Sequence, residues 1–158
     1  MTIIGVDPGI SGAIAWIRYG KVLKLEDMPT VAKSTGKGLQ VDAHGLAKLM
    51  AGNGSCRVVV EAVSAMPGQG VTSMFSFGKS AGIIEGILAA YEIPYSFVRP
   101  QAWKKEFGLT GKDKDASRGL CLREHPEVAD RLTRKKDNGR ADAILIARYG
   151  TVKQGVWS

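Results

Sequence analysis

Three carboxylates stand at the ends of apolar segments, a placement that suits chemistry at the edge of a sheet. The first apolar run of the chain delivers Asp7 into the glycine-rich turn Pro8–Gly12. A second run, Val58–Val60, ends in Glu61, and a third acid, Asp142, opens an apolar helical segment. Any one of them could be an ordinary turn residue, since Asp, Pro and Gly are common in turns. Together they predict that three separate segments each present one acid to a common site.

Clustered carboxylates favour metal chemistry, because like charges a few ångströms apart repel unless cations compensate them. Their hard oxygen atoms suit Mg²⁺ or Mn²⁺. Two such ions roughly 3.5–4 Å apart can activate a water and stabilise the leaving 3′ oxygen of a phosphodiester. The alternative is that the acids form ordinary salt bridges with Arg57, Arg140 or nearby lysines. In a basic protein, three acids placed in this way favour a metal-dependent nuclease.

The charge of the chain points to a polyanionic partner. The 158 residues carry a formal net charge of +7, and the basic residues crowd the last third of the sequence. Nucleic acid is the leading candidate for such a surface, and a role in solubility alone is the alternative. Cys56 and Cys121 lack metal-ligand spacing and are predicted to be buried structural thiols.

Composition and length predict one globular domain spanning residues 1–158. No apolar segment approaches the roughly 20 residues of a membrane span, and the N-terminal residues fit strands better than a leader peptide. We expect a cytoplasmic protein, in a bacterial cell or a phage-infected host, with no membrane partner.

The acids need a scaffold, and the pattern along the chain supplies one. Strands are predicted at residues 2–7, 13–18 and 21–26, at a segment ending in Glu61, and at 95–98. Residues 27–40 are predicted to be a loop. Helices are predicted after Asp42, at 72–91, from Gln101, at 114–124 and at 139–149. The order predicts an α/β fold with a five-stranded mixed sheet flanked by helices. Asp7 and Glu61 then leave neighbouring strands on the same side, with Asp142 over their ends.

The longest predicted helix carries glycine at every fourth position, at Gly78, Gly82 and Gly86. Glycine lowers helix propensity by about 1 kcal/mol relative to alanine, so we expect something to approach this face closely. Tight packing on the protein's own sheet is one explanation, and a helix–helix contact in a dimer is the other.

Motifs along the whole chain resemble the RuvC family of Holliday-junction resolvases, of the phage-encoded type, within the RNase H-like superfamily. The first of these motifs alone also occurs in sugar kinases and actin-like ATPases, which are far longer chains. The motifs are Gly5-Val-Asp7-Pro8-Gly9 with Ser11-Gly12, Val59-Val60-Glu61, Val98-Arg-Pro-Gln-Ala-Trp-Lys104-Lys105, Lys112-Asp-Lys114 and Arg140-Ala-Asp142-Ala143.

The resemblance implies a homodimer that binds a four-way DNA junction and nicks two strands symmetrically with Mg²⁺ or Mn²⁺, without an organic cofactor. Asp7, Glu61 and Asp142 match the family's metal ligands and catalytic acids. Lys104 and Lys114 match family lysines near the scissile phosphate, where they would offset charge in the transition state; a solvated surface is their alternative role. DNA contacts are expected at six basic residues: Lys104, Lys105, Lys112, Lys114, Arg118 and Arg140.

The chain departs from the family pattern at two places. A fourth family carboxylate normally precedes the last acid by three residues, where this chain has Gly139. We predict Asp137 as its replacement in preference to Asn138, although Asp137 could equally be a helix N-terminal acid.

The family's aromatic wedge after the second acid is also absent, because Ala62, Val63 and Ser64 stand there. Met66 or Phe75 could replace it, or could equally belong to the core.

Two other functions stay open. One is an RNase H-like nuclease acting on other branched DNA, flaps or RNA–DNA hybrids, and the other is a non-catalytic junction-binding protein.

Overall fold

The computed structural model describes residues 1–153, which form seven strands and five α-helices. The strands are β1 (Thr2–Val6), β2 (Ala13–Arg18), β3 (Lys21–Asp27), β4 (Thr30–Ala32), β5 (Leu39–Val41), β6 (Cys56–Glu61) and β7 (Tyr95–Val98). The helices are α1 (Ala43–Met50), α2 (Val71–Ala90), α3 (Pro100–Glu106), α4 (Ala116–Glu124) and α5 (Asn138–Val152). Two 3₁₀ segments, Pro126–Arg131 and Lys135–Asp137, lie between α4 and α5.

The main sheet has five strands in the order β3-β2-β1-β6-β7. Strands β1, β2 and β3 form an antiparallel meander, whereas β6 runs parallel to both β1 and β7. The predicted five-stranded mixed sheet flanked by helices is therefore confirmed. Among the described residues, no helix combines the length and apolar character needed to cross a membrane.

Helices cover both faces of the sheet, as the alternation of side chains along each strand requires. Ile3 and Val59 point to the face covered by α5, where the helix contributes a continuous run of buried residues from Ala143 to Ala147. Ile4 and Val60 point to the opposite face, which packs against α1 and α2. Cys56 and Cys121 are buried free thiols, as the sequence predicts.

Local sequence signals explain where the short helices begin. The Asp42 side chain accepts a hydrogen bond of 3.0 Å from the backbone N–H of His44, so it caps α1 as predicted. Pro100 occupies the first turn of α3, where a missing N–H costs no intrahelical hydrogen bond.

The segment predicted as a loop over residues 27–40 contains a small hairpin. Strands β4 and β5 pair antiparallel, with Thr30 opposite Val41. Three-residue strands are too short to show an alternating pattern, so no sequence pattern predicts them. Met28 and Val41 are buried against the α1 and α2 side of the core, which fixes the hairpin beside α2.

The glycine-bearing face of α2 is open. A Cβ atom built at Gly78, Gly82 or Gly86 would meet no described atom within 4 Å. The helix instead buries Ile84 and Leu88 against the sheet. Close packing on the protein's own sheet therefore does not explain these glycines. A helix–helix contact in a dimer stays a prediction.

Candidate active site

The register of two parallel strands brings the first two acids together. Val6 of β1 pairs with Val60 of β6. Asp7 directly follows β1, and Glu61 is the last residue of β6. Because neighbouring parallel strands point their side chains to the same face at matching positions, both carboxylates face α5.

A glycine in β1 lets α5 bring the third acid to the same place. A Cβ atom at Gly5 would overlap the backbone oxygen of Ala143 and lie 2.9 Å from the Cα atom of Ala147. Only a residue without a side chain permits this approach. Asp142 immediately precedes Ala143, so the close packing of α5 on β1 places its carboxylate over the strand ends.

The turn after β1 packs equally closely on the start of α5. A Cβ atom at Gly139 would overlap the backbone oxygen of Ser11, lie 3.1 Å from the Cα atom of Gly12 and lie 3.4 Å from Oδ2 of Asp7. Position 139 therefore lies directly beside Asp7, but the backbone there leaves no room for a carboxylate side chain. The chain cannot place a fourth acid where the family pattern has one without moving this turn.

Burial and mutual repulsion shift the titration of all three acids. Burial raises the pKa of Asp7 to about 7, and the charges of Glu61 and Asp142 add to this effect, against a weak 3.4 Å hydrogen bond from the Gly9 N–H. Burial likewise raises the pKa values of Glu61 and Asp142. The Lys104 charge opposes the increase at each of the three acids. These carboxylates therefore lack full compensation from the protein.

Two side chains orient the acids, and sequence reasoning identified neither in this role. The indole Nε1 of Trp103 donates a 2.7 Å hydrogen bond to Oε2 of Glu61, and the Trp103 ring is fully buried. A hydrogen bond from Ser117 lowers the pKa of Asp142 and so favours its ionised form. Each of these side chains is far in the sequence from the acid it binds, so no local pattern predicts either contact. The burial of Trp103 also rules out stacking of its ring on DNA.

A polar cleft of about 340 Å³ opens at Asp142. Lysines line it, and Lys104 also places its Nζ atom 5.3 Å from the Trp103 ring centroid. The remaining lining residues include Lys112, Lys114, Ser117 and Asn138. Three of the predicted phosphate-binding lysines thus meet one of the predicted acids at a single cleft.

The carboxylate oxygens are hard ligands of the kind a divalent cation prefers. Among the described residues, however, no group of three or more His, Cys, Asp or Glu side chains is already arranged to hold a metal ion. Within residues 1–153, Oδ1 of Asp142 and Oδ1 of Asn138 are buried without a hydrogen-bond partner. No ion pair among the described residues involves Asp7, Glu61 or Asp142. The alternative role of these acids as ordinary salt bridges is therefore not what the structure shows.

Arginine side chains hold Asp137, the predicted fourth ligand, in the structure, and this arrangement counts against the predicted role. Its carboxylate is 3% exposed and accepts hydrogen bonds from the Arg134 backbone N–H at 2.9 Å and from Arg134 Nη2 at 2.8 Å. Arg140 Nη1 lies 3.5 Å from the same group. The Arg134 guanidinium lowers the pKa of Asp137, as expected for an acid already neutralised by arginine.

Two of the predicted DNA contacts, Arg118 and Arg140, form hydrogen bonds within the protein. The Arg118 side chain binds Asp115 through two 2.7 Å hydrogen bonds and the Leu132 carbonyl through a third. Arg140 binds Asp27 at 2.7 and 2.8 Å and the Arg131 carbonyl at 2.9 Å. These hydrogen bonds tie the loops around α5 together and compete with any contact to DNA. The predicted contacts on the exposed surface are Lys105, Lys112 and Lys114.

Both candidate wedge residues lie on the surface. Met66 is 64% exposed and Phe75 is 73% exposed, so neither belongs to the core. Phe75 lines a groove between α2 and the β4–β5 hairpin, together with Lys33 and Leu39. An exposed aromatic ring beside a lysine is typical of a surface that meets bases and phosphates.

The fold is that of RuvC. The RuvC structure from T. thermophilus in complex with a Holliday junction substrate superposes with a TM-score of 0.62, covering 100% of this chain and 98% of that one at 13% identity. A second Thermus thermophilus RuvC structure gives a TM-score of 0.57 at 11% identity, covering 99% of this chain and 98% of the other. At 11–13% identity, these superpositions establish the fold of the chain and nothing beyond the fold.

Sequence similarity adds a named relative. The chloroplastic Holliday junction resolvase MOC1 of Chlamydomonas reinhardtii is 38% identical over 95 residues, which cover 57% of this chain. The aligned part is 10% of that protein's length, so the chain spans a small fraction of this relative. No protein-family model matches the chain. The relative and the fold agree with the resemblance seen in the sequence motifs.

Proposed function

We propose that the protein is a Holliday-junction resolvase, a single-domain endonuclease that nicks two strands of a four-way DNA junction symmetrically. The observation that carries this proposal is the meeting of Asp7, Glu61 and Asp142 at one edge of a RuvC-type sheet, with no ion pair to any other residue within 1–153. The similarity to a named Holliday junction resolvase supports the same conclusion.

The three acids would hold Mg²⁺ or Mn²⁺, because hard carboxylate oxygens are the ligands these ions prefer. When bound, the metal supplies activation of a water and stabilisation of the leaving oxygen. Trp103 fixes one oxygen of Glu61 and leaves the other free to bind a ligand. Lys104, beside all three acids, would offset the charge of the scissile phosphate.

The DNA surface would extend from the cleft to exposed basic and aromatic side chains. Lys112 and Lys114 line the cleft, and Lys105 lies on the exposed side of α3. These lysines would bind phosphates, a contact that carries affinity rather than sequence preference. Phe75 or Met66 would take the place of the missing wedge at the junction centre, since both are exposed apolar side chains.

Symmetric nicking requires two active sites, and so a homodimer. The glycine face of α2 supports this, because Gly78, Gly82 and Gly86 leave room for a second helix. Mass measurement by light scattering at micromolar concentration tests it, with the mass of a dimer expected. The proposal would be contradicted if the protein had the mass of a monomer both in free solution and when bound to the junction.

A second function has its own support in the structure. Position 139 has no room for a carboxylate, and Asp137 is bound to Arg134. A chain with an incomplete set of acids could bind junctions without cutting them. Cleavage of other branched DNA, flaps or RNA–DNA hybrids is a further possibility within the same chemistry. The proposed location is the cytoplasm of a bacterial cell or a phage-infected host.

A substrate panel separates these functions. Labelled four-way junction, splayed duplex, linear duplex and RNA–DNA hybrid are incubated with the protein, with and without Mg²⁺ or Mn²⁺. Metal-dependent cutting confined to the junction supports a resolvase. Tight binding without cutting in either metal supports the binding protein, and preferential cutting of another substrate replaces the biological role.

A further inference from the structure

The amide oxygen of Asn138 is a buried acceptor that receives no hydrogen bond from any described residue. Buried polar atoms are nearly always paired with protein, water or an ion, so an oxygen without a protein partner is open to a bound water or ion. Asn138 lines the same cleft as Asp142, whose Oδ1 is also buried and unpaired among residues 1–153. Two oxygen acceptors without donors therefore share one cleft.

The helix geometry explains why these two oxygens are neighbours. Asn138 is the first residue of α5 and precedes Asp142 by four positions, so the two side chains lie on the same face of the helix. The two residues flanking Asn138 cannot contribute. The backbone of Ser11 excludes a side chain at Gly139, and Arg134 binds the carboxylate of Asp137.

We propose that Oδ1 of Asn138 is the fourth oxygen ligand of the metal centre, beside Asp142. This inference rests on the proposed function, because it takes the three acids as ligands of Mg²⁺ or Mn²⁺. A side-chain amide oxygen is a hard ligand of the kind these ions accept. The centre then has three anionic side chains and one neutral one, so it binds a cation less tightly than four carboxylates would.

Metal affinity in the absence of DNA tests this assignment directly. Mn²⁺ is titrated into the whole protein, and free Mn²⁺ is measured by electron paramagnetic resonance with calorimetry in parallel. Asn138→Asp should tighten binding about tenfold, and Asn138→Leu, which keeps the charge and removes the oxygen, should weaken it about tenfold. Mass spectrometry of each sample verifies that the Asn138-Gly139 pair has not deamidated.

Asp137→Asn is the matched control, since it removes a negative charge one residue away. It should lower the stability of the fold, through the loss of the Arg134 contact, while leaving Mn²⁺ affinity within about twofold of the wild type. Weakening by Asp137→Asn equal to that of Asn138→Leu would show that the loss of affinity is not specific to the Asn138 oxygen, and would overturn the assignment.

Unchanged affinity in both Asn138 variants, with folding verified by circular dichroism, would also overturn it. A double-mutant cycle strengthens the result: in an Asp142→Asn background, the effect of Asn138→Leu should shrink if both oxygens bind the same ion. The failure of the proposed nuclease function can be distinguished from the failure of this assignment. A protein that binds Mn²⁺ through Asn138 but cuts no junction would support the assignment and contradict the nuclease function.

Discussion

Replacing Asp7 by asparagine should stabilise the metal-free fold, although it removes a residue of the proposed active site. The residue is half-buried beside two other acids, and these surroundings raise the pKa of its carboxyl from 3.8 to about 7. Asparagine has nearly the same shape and carries no charge, so it escapes the desolvation and the repulsion. An acid kept for structural reasons would show the opposite behaviour.

The size and sign of the effect follow from linkage between protonation and folding. The folded state holds the Asp7 proton more tightly than the unfolded state does, so wild-type stability falls as the pH rises from about 4 to about 7. A shift of roughly three pKa units is equivalent to about 4 kcal/mol, which is the upper bound on the gain from Asp7→Asn at pH 8. At pH 5 the gain should be less than half as large, since the folded wild type is then mostly protonated at this position.

The assay is urea denaturation in the presence of a chelator at pH 5 and pH 8, with Asp130→Asn as the control at an exposed carboxylate. Asp7→Asn should raise the free energy of unfolding more at pH 8 than at pH 5, and the control should change it little at either pH. Added Mg²⁺ should then stabilise the wild type and leave Asp7→Asn nearly unchanged. A variant less stable than the wild type at pH 8 would refute the account of an uncompensated acid cluster.

Three further substitutions probe other parts of the structure. Trp103→Phe keeps most of the buried ring but removes the hydrogen bond to Glu61, so Mn²⁺ affinity should fall about tenfold in the same titration. Arg140→Ala should lower the free energy of unfolding by about 1–3 kcal/mol, because charged hydrogen bonds are lost. Lys112→Ala should leave stability unchanged and weaken junction binding in gel-shift assays. If instead Arg140→Ala weakened junction binding without loss of stability, Arg140 would be a DNA contact. Gly82→Leu should leave thermal unfolding of the monomer unharmed and shift light scattering from dimer to monomer, and a persistent dimer would place the interface elsewhere.

The sequence predicts those parts of the site that depend on local pattern. Apolar runs locate β1 and β6, and a carboxylate directly after each run predicts that Asp7 and Glu61 share one edge of the sheet. Helical spacing locates α5 and so Asp142. These features are local because a strand or helix is defined by the periodicity of its own residues.

The remaining contacts depend on residues that are far apart in the chain. Arg140 and Asp27 are 113 positions apart, so nothing in the sequence near Arg140 indicates that this cation pairs with Asp27. Trp103 and Glu61 are separated by 42 positions, and their hydrogen bond follows only from the packing of α3 beside β6. The four-residue spacing between Asn138 and the last acid was visible in the sequence. The spacing points to a shared site only once the structure shows that both oxygens are buried without a partner among residues 1–153.

Strand-specific mapping of nicks on an immobile four-way junction tests the central claim most directly. The account predicts paired nicks at symmetric positions on two strands of like polarity, dependent on Mg²⁺ or Mn²⁺, with junction binding retained and cutting lost in Asp7→Asn and Glu61→Gln. Cutting that persists in both variants, or binding lost along with cutting, would contradict the assignment of these acids to the metal centre.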